Sequence, residues 1–258
     1  MKKKVFLLAA PALGLGLVAM GAGPAMADHA EGSYSVTLGE INNSGASGEV
    51  WIDVVGAEAT VTLTASGLAE TFDDNPFPHV QHIHIGAQGV CPDMSADENE
   101  DGIISTTEGA PSYGDIGTTL SVGGGDKSPD VGLDLTVAPS GPTIDYKETF
   151  EMNEETQDAL ADGTAVVVVH GLDPATQPES ALEESDLVPE LPLAATSPAL
   201  CGTLEMMPAG GADTGVVTAA SSTDAGAANM GFLALGGVLA AAAAGGIFTA
   251  RRRTATNR

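Results

Sequence analysis

Apolar residues recur at every second position through much of the chain, the period of a half-buried strand and not of a helix. Tyr34, Val36 and Leu38 alternate with Ser35 and Thr37, and Asn42-Asn43-Ser44-Gly45 then turns the chain. Residues 50–54 and 60–64 repeat the pattern. Residues 80–85 make a shorter segment that contains His82-Ile83-His84. Alternation returns at residues 118–122 and 131–137. The run Ala165-Val166-Val167-Val168-Val169 ends in His170 and reads as a buried strand, and residues 200–204 close the set. One short helix is predicted at residues 153–160, where Asn153 can cap the first turn. Seven or eight short strands separated by Gly, Asn, Asp and Pro clusters predict an all-β domain, an antiparallel Greek-key β-sandwich or barrel. No internal repeat interrupts the series.

The ends of the chain follow different rules. Lys2-Lys3-Lys4, an apolar run and Ala25-Met26-Ala27 form the pattern of a secretory signal peptide, so residues 1–27 are expected to be removed. Residues 207–229, rich in Ala, Gly, Ser and Thr, read as a flexible stalk. Residues 230–250 carry no charge and are long enough for a transmembrane helix, with Arg251-Arg252-Arg253 opening a basic cytoplasmic tail over residues 251–258. These signals place residues 28–206 outside the cytoplasm, anchored in a bacterial cell membrane. The usual Leu-Pro-any-Thr-Gly order of a cell-wall sorting signal is absent, which makes attachment to the cell wall the lesser alternative.

Charge sharpens that picture. The chain holds 9 basic and 35 acidic side chains. Every acidic residue falls between Asp28 and Asp224, and in that stretch Lys127 and Lys147 are the sole cations. Such a surface repels nucleic acid and anionic lipid and attracts divalent cations. The two cysteines of an exported domain, Cys91 and Cys201, most simply form one disulfide.

Two patterns carry chemistry. His82 and His84, two apart on a strand, present two imidazoles to one side while Ile83 faces the other, and the strand ending at His170 can deliver a third. Imidazole is the commonest metal ligand. His79, three residues before His82, tends to the opposite face and is either a fourth ligand or a loop residue after Pro78. His29 is expected to be exposed. The second pattern, over residues 97–108, matches a twelve-residue EF-hand calcium loop. Asp97, Asn99 and Asp101 occupy positions 1, 3 and 5, Gly102 position 6, Ile103 the backbone-ligand position, Ser105 position 9 and Glu108 the closing bidentate position. Cys91-Pro92 before the loop and Gly109-Ala110-Pro111 after it argue against flanking helices. The loop is therefore expected to be a structural calcium clip, not a sensor.

The order His-x-His, Cys, a long loop reaching Gly114-Asp115-Ile116-Gly117, Val-Val-Val-His and then Ala-Leu-Cys-Gly resembles the copper/zinc superoxide dismutase fold and the related chordin-type (CHRD) domains. The likeness spans roughly residues 31–206. It implies copper on His82, His84 and His170, a Cys91–Cys201 disulfide, and a zinc aspartate at Asp115. The departures are as informative. No histidine lies between His84 and His170, so the bridging and zinc histidines are missing, and Ser112 stands where the last zinc histidine would be. Pro198 takes the place of the family's active-site arginine. The segment after His170 carries Asp173, Glu179, Glu183, Glu184, Asp186 and Glu190 without a cation, which steers superoxide away.

Three imidazoles still suit both copper oxidation states. Two readings follow. One is an exported, membrane-anchored, superoxide dismutase-like metal-binding domain with copper-dependent superoxide dismutation and a structural calcium loop. The other is a non-enzymatic, calcium-stabilised surface module of the same fold, used for binding or display. Copper storage or delivery is a weaker third. No esterase elbow, phosphate loop or basic-aromatic surface points elsewhere.

Overall fold

Strict alternation builds the first three strands, β1 (Gly32–Glu40), β2 (Ser47–Val55) and β3 (Glu58–Ser66). In β2 it buries Val50, Ile52 and Val54, and in β3 Ala59, Val61, Leu63 and Ala65, leaving the intervening residues to face outward. The computed structural model describes residues 30–72 and 74–208. The predicted signal peptide, His29, nearly all of the predicted stalk, the anchor and the tail lie outside those residues.

Beyond β3 come a two-residue hairpin, β4 (Thr71–Phe72) and β5 (Asn75–Pro76), and then the histidine strand β6 (Gln81–Ile85). A long excursion holding α1 (Thr106–Tyr113) leads to β7 (Asp115–Thr119). The remaining elements are β8 (Thr143–Glu151), α2 (Glu154–Ala161), β9 (Val166–His170), α3 (Leu193–Thr196), β10 (Pro198–Thr203) and β11 (Glu205–Met206). The protein is mostly β, with few helices. One curled sheet runs in the order β7-β6-β9-β10-β1-β2-β3-β8, every neighbouring pair antiparallel, and β11 adds to β1. β1 is the corner of the curl. Its residues 32–38 pair with β2, while Gly39 and Glu40 pair with Cys201 and Leu200 of β10.

β9 explains how the sheet serves two layers. Val167 and Val169 enter the main core with Ile83, Val61 and Leu63, whereas Val166 and Val168 enter a second cluster with Ile41, Ile104, Tyr113 and Cys201. All four valines are fully buried. Each such burial contributes roughly 1.5–3 kcal/mol relative to exposure, so both faces of this strand are held firmly. The second cluster is the underside of the excursion between β6 and β7. That excursion is fastened to β10 by the Cys91–Cys201 disulfide, with Cα atoms 5.8 Å apart. Asn42 fastens it again. Its side-chain amide donates to the carbonyls of Ile104 and Pro198 and its Oδ1 accepts from the Ile104 N–H, all within 3.0 Å.

The predicted helix is present as α2, with the Asn153 side chain accepting from Thr156 N–H. Other elements differ from expectation. Residues 131–137 are not a strand but lie across two short 3-10 turns, Pro129–Val131 and Leu135–Val137. Pro129 opens the first turn and the Asp134 carboxylate caps the second, so local turn chemistry overrides alternation. β7 begins three residues earlier than the alternation at 118–122 suggested. β8 went unpredicted because Ile144 and Tyr146, its buried residues, are embedded among charged ones. The acidic loop does run into a helix, α1. Ser105 and Glu108 form a reciprocal capping box there, and Pro111 is tolerated inside it.

Candidate metal centre

β6 and β9 pair antiparallel with His82 opposite Val168 and His84 opposite Val166. Directly paired residues share a sheet face, and His170 lies two beyond Val168. The register therefore puts His82, His84 and His170 together on the face covered by the 86–114 excursion, with Ile83 on the other side in the main core. The three ring centroids are 5.3, 5.4 and 5.9 Å apart. One ligand nitrogen from each ring lies within 4.8 Å of the others, and all three residues are buried. This cluster could hold a metal ion.

Each imidazole is oriented by a backbone carbonyl. His82 Nε2 donates to Gly132 O at 2.9 Å, His84 Nδ1 to Gly114 O at 2.9 Å, and His170 Nδ1 to Thr196 O at 2.7 Å. A carbonyl can only accept, so each contacted nitrogen carries the proton and the opposite nitrogen keeps its lone pair. Those opposite nitrogens, His82 Nδ1, His84 Nε2 and His170 Nε2, are buried and have no hydrogen-bond partner. Three orphaned acceptors in one place are costly to a fold unless something binds them.

Electrostatics keep the rings neutral. Burial, then the neighbouring rings of His170 and His84, hold His82 well below the ordinary imidazole range. Burial brings His84 down to about 4 despite its carbonyl partner. Burial and the nearby His84 bring His170 to about 3. At neutral pH all three lone pairs are available to a cation, the state that metal ligation requires.

The excursion between β6 and β7 supplies the supports. Gly114 is at φ +95°, and a Cβ there would come within 1.9 Å of Ile85 O, so only glycine lets this segment approach β6 and offer its carbonyl to His84. The Tyr113 ring meets His84 edge-on at 4.6 Å, and the Tyr113 hydroxyl donates to Thr106 O. Thr106 Oγ1 lies 3.3 Å from His170 Nδ1. Sequence reasoning missed these supports. Carbonyl acceptors have no side-chain signature, and the alternation of residues 131–137 predicts a strand where Gly132 ends a turn.

His79 does not join the cluster. Its ring stacks on Phe77, and its two nitrogens meet the carbonyls of His170 and Ala69, both at 2.9 Å. Asp115 is exposed at the start of β7, and Ser112 lies within α1. Pro198 sits in register with His170. Lys127 is occupied elsewhere, paired with Glu148 at 2.6 Å beside the rings of Tyr146 and Phe150.

The acidic loop folds around its own backbone. Asp97 accepts from the N–H groups of Asp101 and Gly102, Asn99 Oδ1 from Asp101 N–H, and Asp101 Oδ1 from Ile103 N–H. Glu108 Oε1 accepts from Glu98 and Asn99 N–H and Oε2 from Ser105 N–H, while the Ser105 hydroxyl donates to Asp186. Gly102 takes φ +90° at the reversal, as position 6 of such a loop demands. The Ile103 side chain is fully buried and anchors the loop to the main core.

Above the histidines opens a cleft of about 490 Å³, bounded by α1, the start of β7, the turns at 129–137 and the segment 187–196. No family model matches the chain, and no curated protein matches it either.

Proposed function

We propose that this chain is an exported, membrane-anchored metal-binding domain of the superoxide dismutase-like type, with copper on His82, His84 and His170 and a structural calcium ion in the loop at residues 97–108. The observation that carries the reading is the convergence of three neutral, buried imidazoles whose free nitrogens have no partner. The adjacency of the histidine strands β6 and β9 in a curled antiparallel sheet, with a disulfide tying their cover to β10, supports the reading. Imidazole is a good ligand for both copper oxidation states, and copper when bound supplies one-electron chemistry. The chain's own residues hold the ligand set neutral, fix each ring by a carbonyl and shield the centre from water.

The substrate side of the reading is superoxide dismutation. A specific observation favours the non-enzymatic alternative: the ionised side chains lining the cleft are carboxylates, Asp115 and Asp130, which repel an anionic substrate. Metal analysis and superoxide consumption by the full-length chain, wild type beside His82→Ala and His170→Ala, separate the two. Histidine-dependent copper with histidine-dependent turnover supports the enzyme. Histidine-dependent copper without turnover leaves a copper-binding module, and no copper at neutral pH overturns both copper readings.

A further inference from the structure

We infer that the cleft above the histidine centre is a binding site for a small amine with an apolar body, of the arylalkylamine class, and that it selects against anions of the same shape. The inference deepens the proposed function and rests on it for the identity of the ion beneath the ligand, whereas the selectivity is a property of the cleft walls.

Size comes first. At about 490 Å³ the cleft falls within the range of small-molecule sites. Its walls are leucine-rich from two separate parts of the chain, with Leu133 and Leu135 from one and Leu187 and Leu191 from the other. Leu133, Leu135 and Leu187 are 52%, 39% and 41% exposed although they line one concave site. Leucine left in water costs free energy that an apolar guest recovers. The local fold arranges this display. Residues 131–137 have the alternation of a strand, yet Pro129 and Asp134 turn them into 3-10 geometry, and their leucines line the cleft.

Charge chooses the head group. The lining side chains that ionise are Asp115 and Asp130, and among the described residues no Lys or Arg lines the cleft. The neighbouring segment adds Glu183, Glu184, Asp186 and Glu190. An ammonium group is attracted here, and a carboxylate is repelled. The floor agrees with the rim, because the free nitrogens of His82, His84 and His170 are acceptors, nearly sealed from water and without partners. An ammonium N–H is the complement of these acceptors when no metal occupies them. The metal-free site therefore favours an ammonium at floor and rim alike, and its rim opposes an anion.

The test is calorimetric titration of the full-length chain, both chelator-treated and copper-treated, with three probes. These are phenylethylamine, 3-phenylpropionate (a similar apolar body with a carboxylate) and ethylamine (the same head without the ring). In the chelator-treated chain phenylethylamine is expected to bind at least about tenfold more tightly than ethylamine, since burying the ring is worth that much, and more tightly than 3-phenylpropionate, because the rim carboxylates oppose its charge. Leu133→Ser and Leu187→Ser, at exposed positions the fold does not need, should each weaken phenylethylamine roughly fivefold and leave ethylamine unchanged. Equal affinity for the amine and the carboxylate, indifference to both leucine substitutions, or no binding of any probe overturns the inference. Amine selectivity in a chain that takes up no copper refutes the copper reading alone. Copper uptake without amine selectivity refutes this inference alone.

Discussion

The histidine centre and the acidic loop both adjoin α1, and they handle their polar atoms in opposite ways. In the loop, Asp97, Asn99, Asp101 and Glu108 place side-chain oxygens on backbone N–H groups of the same loop, so the local fold is satisfied by its own chain. In the centre, three ring nitrogens are buried with nothing to accept. The loop is exposed at Glu98, Asn99 and Glu100, with Glu100 and Gly102 in left-handed conformations. The centre rests on two central strands buried on both faces. A conspicuous motif and a demanding site are therefore different things. The loop announces its ligands in sequence, whereas the centre needs a ligand to complete its hydrogen bonding.

The largest expected effect falls on the centre. His170→Ala removes the ligand that β9 contributes, and copper bound by the full-length chain should fall to background while Glu108→Gln keeps the wild-type amount. Equal copper in His170→Ala and wild type would erase the contrast between the two regions.

Reduction of the cover comes next. Cys91 and Cys201 are 110 residues apart, and replacing both by Ser should lower unfolding free energy by about 2–5 kcal/mol in denaturant titrations. Because the disulfide holds the excursion that supports His84 and His170, copper affinity should fall with it. An unchanged affinity would show that the centre is built by the strands alone.

Acid should act on the centre before it acts on the loop. The folded rings of His84 and His170 titrate near about 4 and about 3, and His82 also lies well below its ordinary value of 6.5. The unfolded chain thus takes up protons that the folded chain refuses. The stabilisation is fully present above pH 6.5 and is lost as pH falls through the window toward those folded values, at roughly 1.4 kcal/mol per pH unit for each ring. Denaturation of chelator-treated protein at fixed high salt between pH 7 and 5 should show that slope, and His84→Leu should lower it by one ring's share. A flat profile in the wild type would contradict the burial of neutral imidazoles.

The smallest effect belongs to the loop. Glu108→Gln weakens the capping box of α1 and should cost about 1 kcal/mol without calcium. In calorimetry it should also abolish the calcium heat of the wild-type chain. Calcium heat that survives the substitution would remove Glu108 from the ligand set.

Much of this arrangement was legible in the sequence. Alternation marked β1, β2 and β3, the valine run marked β9, and His-x-His placed two imidazoles on one face of β6. The three expected copper ligands do come together, and Cys91 does pair with Cys201. What stayed hidden depended on backbone and context. Residues 131–137 carry a strand pattern that Pro129 and Asp134 cancel, and β8 hides two buried residues among charges. Gly109-Ala110-Pro111 reads as a helix breaker, yet Ser105 and Glu108 cap α1 strongly enough to include it. The carbonyls of Gly114, Gly132 and Thr196 that orient the histidines leave no trace in side-chain identity.

The central claim is that His82, His84 and His170 form one copper centre. Electron paramagnetic resonance of the full-length chain titrated with one equivalent of Cu(II) at neutral pH tests it most directly. The account predicts a single type of copper signal with nitrogen hyperfine structure from imidazole, lost in His82→Ala and in His170→Ala. A signal indistinguishable from free copper, or one that survives both substitutions, would contradict it.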